Sequence, residues 1–152
     1  MSMRKYRRVV TGLNAEGKSC VIIDGPVPEN EVSTSVIWRT NSLPADNSGT
    51  DDTSIPFSRE LLSCSGSRFI LAQMPPGSNG ETFMHATNTI DYLAVLEGEV
   101  VLVLEAGEVQ LKEGDLIVDR GVVHGWRNDG SRPAAFISIM IPAIPVGQGE
   151  MI

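Results

Sequence analysis

Positive charge, aromatic rings, histidine and cysteine are all in short supply in this chain. Lys and Arg number 12 against 19 Asp and Glu, which leaves a formal charge of -7. Aromatic residues make up 5% of the chain, and there are two His and two Cys. The acidic balance argues against nucleic acid as a partner, since a phosphate-backbone binder presents a basic face. The local group Arg4, Lys5, Arg7 and Arg8 reads first as a solvated or subunit-contact strand. Cys20 and Cys64 lie far apart with no C-x-x-C pair, so both are expected to be reduced and partly buried. No apolar run reaches signal-peptide length after the N-terminal arginines, and none reaches the roughly 18 residues of a membrane span. The expectation is a cytoplasmic protein with no membrane partner. A helical period is also lacking: no amphipathic stretch of 10 residues stands out.

A period of two is present. The chain has 152 residues, 41% of them hydrophobic, which suits one domain spanning 1–152. A domain of that size buries roughly 70% of its unfolded surface without needing a disulfide or structural metal. Short alternating runs occur at 7–12, 19–24, 32–38 and 67–74, and again at 82–98, 99–108, 109–115, 116–121, 122–128 and 133–143. Turn signals such as "NAEG", "EGD", "DRG" and "NDGSRP" separate them. Many short strands at close spacing indicate an all-β sandwich or barrel. One segment breaks the rhythm. Residues 39–67, rich in Ser, Thr, Asp, Asn and Pro, form a long loop, with room for one helical turn in "SIPFSRELL" weakly capped by Ser58. It reads as a surface excursion, a lid over a pocket, or an arm onto a second subunit.

Both histidines fall in suggestive settings. In "MHATNTIDYLAVLEG", alternation places His85, Thr87, Thr89, Asp91, Leu93 and Val95 on one face of a strand. Along a straight strand, His85 and Asp91 would sit roughly 20 Å apart at about 3.3 Å per residue, too far to bind one ion. They meet only if the chain turns within "ATNT". His124 lies in "VVHGWRN", with Trp126 on the same face.

Two stretches then carry a resemblance. "PPGSNGETFMHATNTIDYLAVLEG", about 76–98, resembles the first motif of the cupin superfamily: Gly, His-x-His, an acid three or four residues on, and a Gly after six more. "GDLIVDRGVVHGWRN", about 114–128, resembles the second, with Gly114, Asp115, Gly121, His124 and Asn128 in place. The 15-residue gap from Glu99 to Glu113 matches compact microbial cupins. The resemblance implies an antiparallel jelly-roll β-barrel, commonly a homodimer, whose motif residues face a pocket and often hold one divalent metal such as Fe, Mn, Zn or Ni. It implies a turn between the His pair and the acid. Mapped by position, His85, Asp91 and His124 are the catalytic candidates and the candidate metal ligands, a two-His, one-carboxylate set. The first motif is degenerate. Thr87 stands at the second His, Asp91 replaces the usual Glu, and "VDRG" lacks the usual Pro.

Thr87, Trp126 and Arg120 are the candidate substrate contacts. Asp91 could alternatively pair with Arg120 or His85 as a structural ion pair. Tyr92 faces the other way and reads as packing. Asn128 reads as a turn-satisfying residue, and Gly98, Gly114 and Gly121 as turn glycines. The function implied is an enzyme on a small organic acid or a carbonyl or phenolic metabolite, of lyase, isomerase, dehydratase, decarboxylase or dioxygenase type. A non-catalytic small-molecule binder without metal is the alternative. The apolar strand "AAFISIMIPA" could pair or pack across a dimer interface, and the tail "GQGEMI" is expected to fray.

Overall fold

Residues 3–30, 33–78 and 80–152 are described here from a computed structural model of the chain. Ten strands follow one another: β1 (Arg7–Leu13), β2 (Ser19–Pro26), β3 (Thr34–Arg39), β4 (Arg68–Met74), β5 (Thr89–Glu97), β6 (Glu99–Leu104), β7 (Gly107–Lys112), β8 (Leu116–Asp119), β9 (His124–Arg127) and β10 (Ala134–Pro142). Each run read as a strand contains one, most with boundaries shifted by a few residues, but the run 82–98 is a strand only from Thr89. The only helical element among the described residues is a 3-10 turn, Arg59–Ser63, inside the predicted loop. Ser58 precedes it with no side-chain capping bond.

Every strand pairing is antiparallel. A five-stranded sheet in the order β3-β4-β10-β5-β8 faces a three-stranded sheet, β7-β6-β9. Leu93, Val95, Val100, Leu102, Leu111 and Phe136 fill the space between them, supplied by the inward halves of alternating strands. This is the jelly-roll barrel expected. The β1-β2 hairpin forms its own two-stranded sheet, and a second apolar cluster joins Val27 to Ile37, Leu71 and Ala135, with Tyr6 and Ile137 packed against it.

One expectation is narrowed to packing alone and another is corrected. "AAFISIMIPA" is β10, flanked by β4 and β5, so neither edge is free to pair with another molecule. Its inward residues Phe136, Ser138 and Met140 are buried. The tail does not fray. Met151 pairs with Ala86 through two backbone hydrogen bonds of 2.7 and 2.9 Å, and Ser63 donates to Glu150 at 2.6 Å. Backbone groups that would otherwise face water are satisfied by the segment beside His85.

The excursion is tied down as well. Arg8, buried beneath it, donates to both carboxylate oxygens of Asp52, at 2.8 and 2.6 Å, and to the carbonyl of Ile37. Arg68 is 1% exposed and is hydrogen-bonded to the carbonyls of Leu62, Cys64 and Gly66. A planar guanidinium satisfying three converging carbonyls fixes the turn that follows Arg59–Ser63. Leu61 and Leu62 are buried under it. Two features of the basic N-terminal group fit the sequence reading: Lys5 and Arg7 make exposed pairs with Glu29 and Asp24.

Candidate active site

A cavity of about 380 Å³ opens between the sheets. His85, Asp91 and His124 all line it, with Trp126. The turn that the strand arithmetic required is present. His85 and Ala86 form isolated bridges, to His124 and Met151 respectively, and the chain bends at Asn88 before β5 starts at Thr89. That break brings the two histidine rings to 4.4 Å between centroids. Gly121 permits the close approach. At φ +73°, its missing Cβ would lie 2.6 Å from the Thr87 carbonyl oxygen and 2.8 Å from that of Thr89.

Asp119 is the site residue that sequence reasoning missed. It is 5% exposed and ends β8. Its Oδ1 accepts the backbone N–H of Gly121 at 2.9 Å and of Val122 at 3.3 Å. Its Oδ2 lies 2.8 Å from Nδ1 of His124. That nitrogen is also 2.9 Å from the Val122 carbonyl oxygen, which takes the better-aligned N–H. Asp119 therefore acts on the ring chiefly through its charge. Either acceptor fixes the proton on Nδ1 and leaves Nε2 for the cavity. A signal existed: alternation along "LIVD" puts Asp119 inward with Ile117, and an Asp two residues before a Gly commonly closes a local turn.

The four titratable groups are pushed apart in pairs. Burial lowers the His85 pKa, and the charge of His124 adds to that, against the Phe83 carbonyl near Nδ1. Burial also opposes charge on His124, but contact with Asp119 and its charge outweigh that and raise it. Asp91 is raised to about 6, first by burial and then by the charge of Asp119, its direct cross-strand partner, against a hydrogen bond from Thr89. Asp119 is held low: burial opposes its charge, but His124 and the two backbone N–H groups prevail. The arrangement thus favours the neutral form of His85, the cationic form of His124, the ionised form of Asp119 and the protonated form of Asp91, each relative to its ordinary value.

The remaining predicted contacts are placed differently. Thr87 is 1% exposed and its hydroxyl is 2.6 Å from that of Thr89, which donates to Asp91 at 2.6 Å. It supports the carboxylate from behind and does not line the cavity. Arg120 follows Asp119, is exposed and lies outside the cavity lining, so it pairs with neither Asp91 nor a pocket ligand. Asp91 is paired through Thr89 instead of through Arg120 or His85. Trp126 packs between His124 and Phe136, at ring separations of 5.8 and 4.5 Å. Tyr92 is 46% exposed on the outer face of the sheet. Asn128 closes the second motif as expected, donating to the carbonyls of Met74, Pro75 and Arg132 and accepting from Gly130.

The donor set does not fit a metal ion as arranged. Among the described residues no group of three or more His, Cys, Asp or Glu converges closely enough to hold one. The position where a second His would stand is Thr87, turned to Thr89, and Asp91 is engaged by the same threonine. Two imidazoles remain, fewer than a stable catalytic site uses. Nor is any helix long and apolar enough to cross a membrane among the described residues.

Residues 70–140 match the family model described as the Cupin domain. The phomopsin biosynthesis cluster protein C' of Diaporthe leptostromiformis is 50% identical over 64 residues, which is 41% of this chain and 33% of that protein. The match thus spans about a third of that relative's length. The cupin-domain-containing oxidoreductase virC of Hypocrea virens is 27% identical over 95% of this chain and 79% of its own. A solved structure from Klebsiella pneumoniae, an uncharacterized conserved protein with a double-stranded beta-helix domain, is 29% identical, with 50% of this chain and 67% of that chain covered at a TM-score of 0.45. Both motifs read from the sequence lie within the matched span and line one cavity, so residues 70–140 carry a cupin domain.

Proposed function

We propose that this cupin is an enzyme that relocates protons on a small organic acid, carbonyl or phenolic compound by acid–base catalysis without a metal. The observation that carries the reading is the pair of adjacent imidazoles with opposite environments: burial shifts His85 toward its neutral form, and buried Asp119 shifts His124 toward its cationic form. Neutral His85 removes a proton from carbon next to a carbonyl. The His124 imidazolium donates from Nε2 to the carbonyl oxygen as the enolate forms, and Asp119 stabilises that cation. Return of the proton to a different carbon gives isomerisation. Loss of a β-hydroxyl, protonated by Asp91 as it leaves, gives dehydration. Preorganised groups of this kind each contribute about 10²–10⁴-fold.

The test is proton–deuterium exchange at carbon, followed by NMR, on a panel of carbonyl acids with chelator-treated protein in D₂O. Exchange should survive chelation and disappear in His85→Ala and His124→Ala. Near-stoichiometric metal together with chelator-sensitive turnover would overturn the reading. A second reading is a redox role, favoured by virC, a relative named as an oxidoreductase that matches 95% of this chain. It requires an added electron acceptor, and its product would be two hydrogens poorer than its substrate.

A further inference from the structure

The predicted excursion contributes a wall of the cavity through Phe57, Arg59 and Leu62. Among the described residues lining the cavity, Arg59 is the one permanent cation. Its guanidinium carbon lies 4.4 Å from the centroid of the Phe83 ring. Phe83 in turn stacks on His85, at 5.2 Å and 14° between planes. Arg59 is exposed, Phe83 is 47% exposed and His124 is 4% exposed, so the stack runs from the mouth inward to the histidine pair. The guanidinium has no acidic partner among the described residues. Its backbone is nevertheless fixed, since the turn is held by Arg68 and by Ser63 with Glu150.

We infer that Arg59 is the anchoring residue for a carboxylate on the substrate, which enters with its apolar, aromatic-compatible body against Phe83 and Trp126 and its acid group left at the mouth. This rests on the cavity being the substrate site. Two physical reasons set the orientation. A planar guanidinium presents a fork of donors that matches a carboxylate, and its stacking on Phe83 leaves those donors in the plane free. The inner end holds Asp91, and positive charge on His124 there is already matched by Asp119 behind it, so an anion placed there gains little, while the apolar wall between accepts rings and alkyl groups. Arg59 is a positioning residue under this inference. It sets which molecules are held, and the histidine pair acts on the opposite end.

A matched pair of probes tests it without turnover. Binding of 3-phenylpropanoate and of the uncharged 3-phenylpropanamide is measured by calorimetry in the wild type, Arg59→Gln and Arg59→Lys. The wild type should prefer the acid by about tenfold at low salt, a preference that weakens as salt rises. Arg59→Gln should abolish the preference by weakening the acid alone, and Arg59→Lys should restore part of it. Unchanged amide binding shows that the cavity remains intact in each variant. Equal binding of acid and amide by the wild type, a preference that persists in Arg59→Gln, or no binding of either probe at millimolar concentration overturns the inference. His124→Asn should leave the acid-to-amide ratio intact, so a failure of the acid–base reading and a failure of the anchor give different results.

Discussion

The two cupin motifs of this chain treat buried charge in opposite ways. In the second, Asp119 is met by two backbone N–H groups and a histidine, and Asn128 closes the following turn with four hydrogen bonds. In the first, Asp91 is met by a single threonine hydroxyl and faces Asp119 across the strand pair. One carboxylate is kept ionised and the other is pushed to about 6. The lesson is that burial alone does not decide a carboxylate's state. Similar exposure, 5% and 6%, gives opposite shifts because the number of donors differs.

The strongest way to break the contrast is to remove the compensated charge. Asp119→Ala should destabilise the fold by about 3–5 kcal/mol, since it strands two N–H groups and a buried imidazolium. Denaturant midpoints check this. The milder Asp119→Asn should keep the fold but lower activity by about 10²–10⁴-fold. It should also pull the alkaline limb of the pH–rate profile downward, because His124 would lose the charge that raises its pKa. In the wild type the rate should rise as His85 deprotonates, below its ordinary value of 6.5, and fall as His124 deprotonates, above 6.5.

Removing the uncompensated charge should have the opposite sign. The folded pKa of Asp91 is raised from 3.8 to about 6. Its contribution to stability is therefore fully present below pH 3.8 and is lost as pH rises through about 6. Asp91→Asn should be more stable than wild type by about 2–3 kcal/mol at alkaline pH, with the gap closing on acidification. Thermal melts at several pH values read this directly, and a variant less stable than wild type at every pH would contradict it. The smallest effect concerns how the motifs touch. Gly121→Ala should cost about 1–2 kcal/mol from its left-handed backbone, plus a displacement of the Thr87–Thr89 segment. The change should appear as chemical-shift perturbation centred on the first motif.

Much of the site was legible because it depends on local periodicity. Alternation placed Asp91 inward and Tyr92 outward, and the structure agrees. The distance between His85 and Asp91 on a straight strand demanded a bend, and a bend at Asn88 is found. Arg120 was misjudged because its neighbour took the inward position: adjacent residues near a strand end face opposite ways, and Asp119 is the buried one. Thr87 was read as a pocket wall, but its hydroxyl found a nearer partner in Thr89.

By itself, the sequence determined the all-β barrel, the order of the strands, the turn glycines and the two histidines of one pocket. The all-β class and the turns follow from period-two patterning and turn chemistry encoded within a few residues, while the barrel and the shared pocket of the histidines came with the cupin resemblance. Only the tertiary structure decided which acid is ionised, that Arg59 of a distant excursion reaches the cavity, and that Met151 pairs beside His85. Those outcomes depend on which groups meet across the fold and how much water remains between them, and neither is written in local sequence.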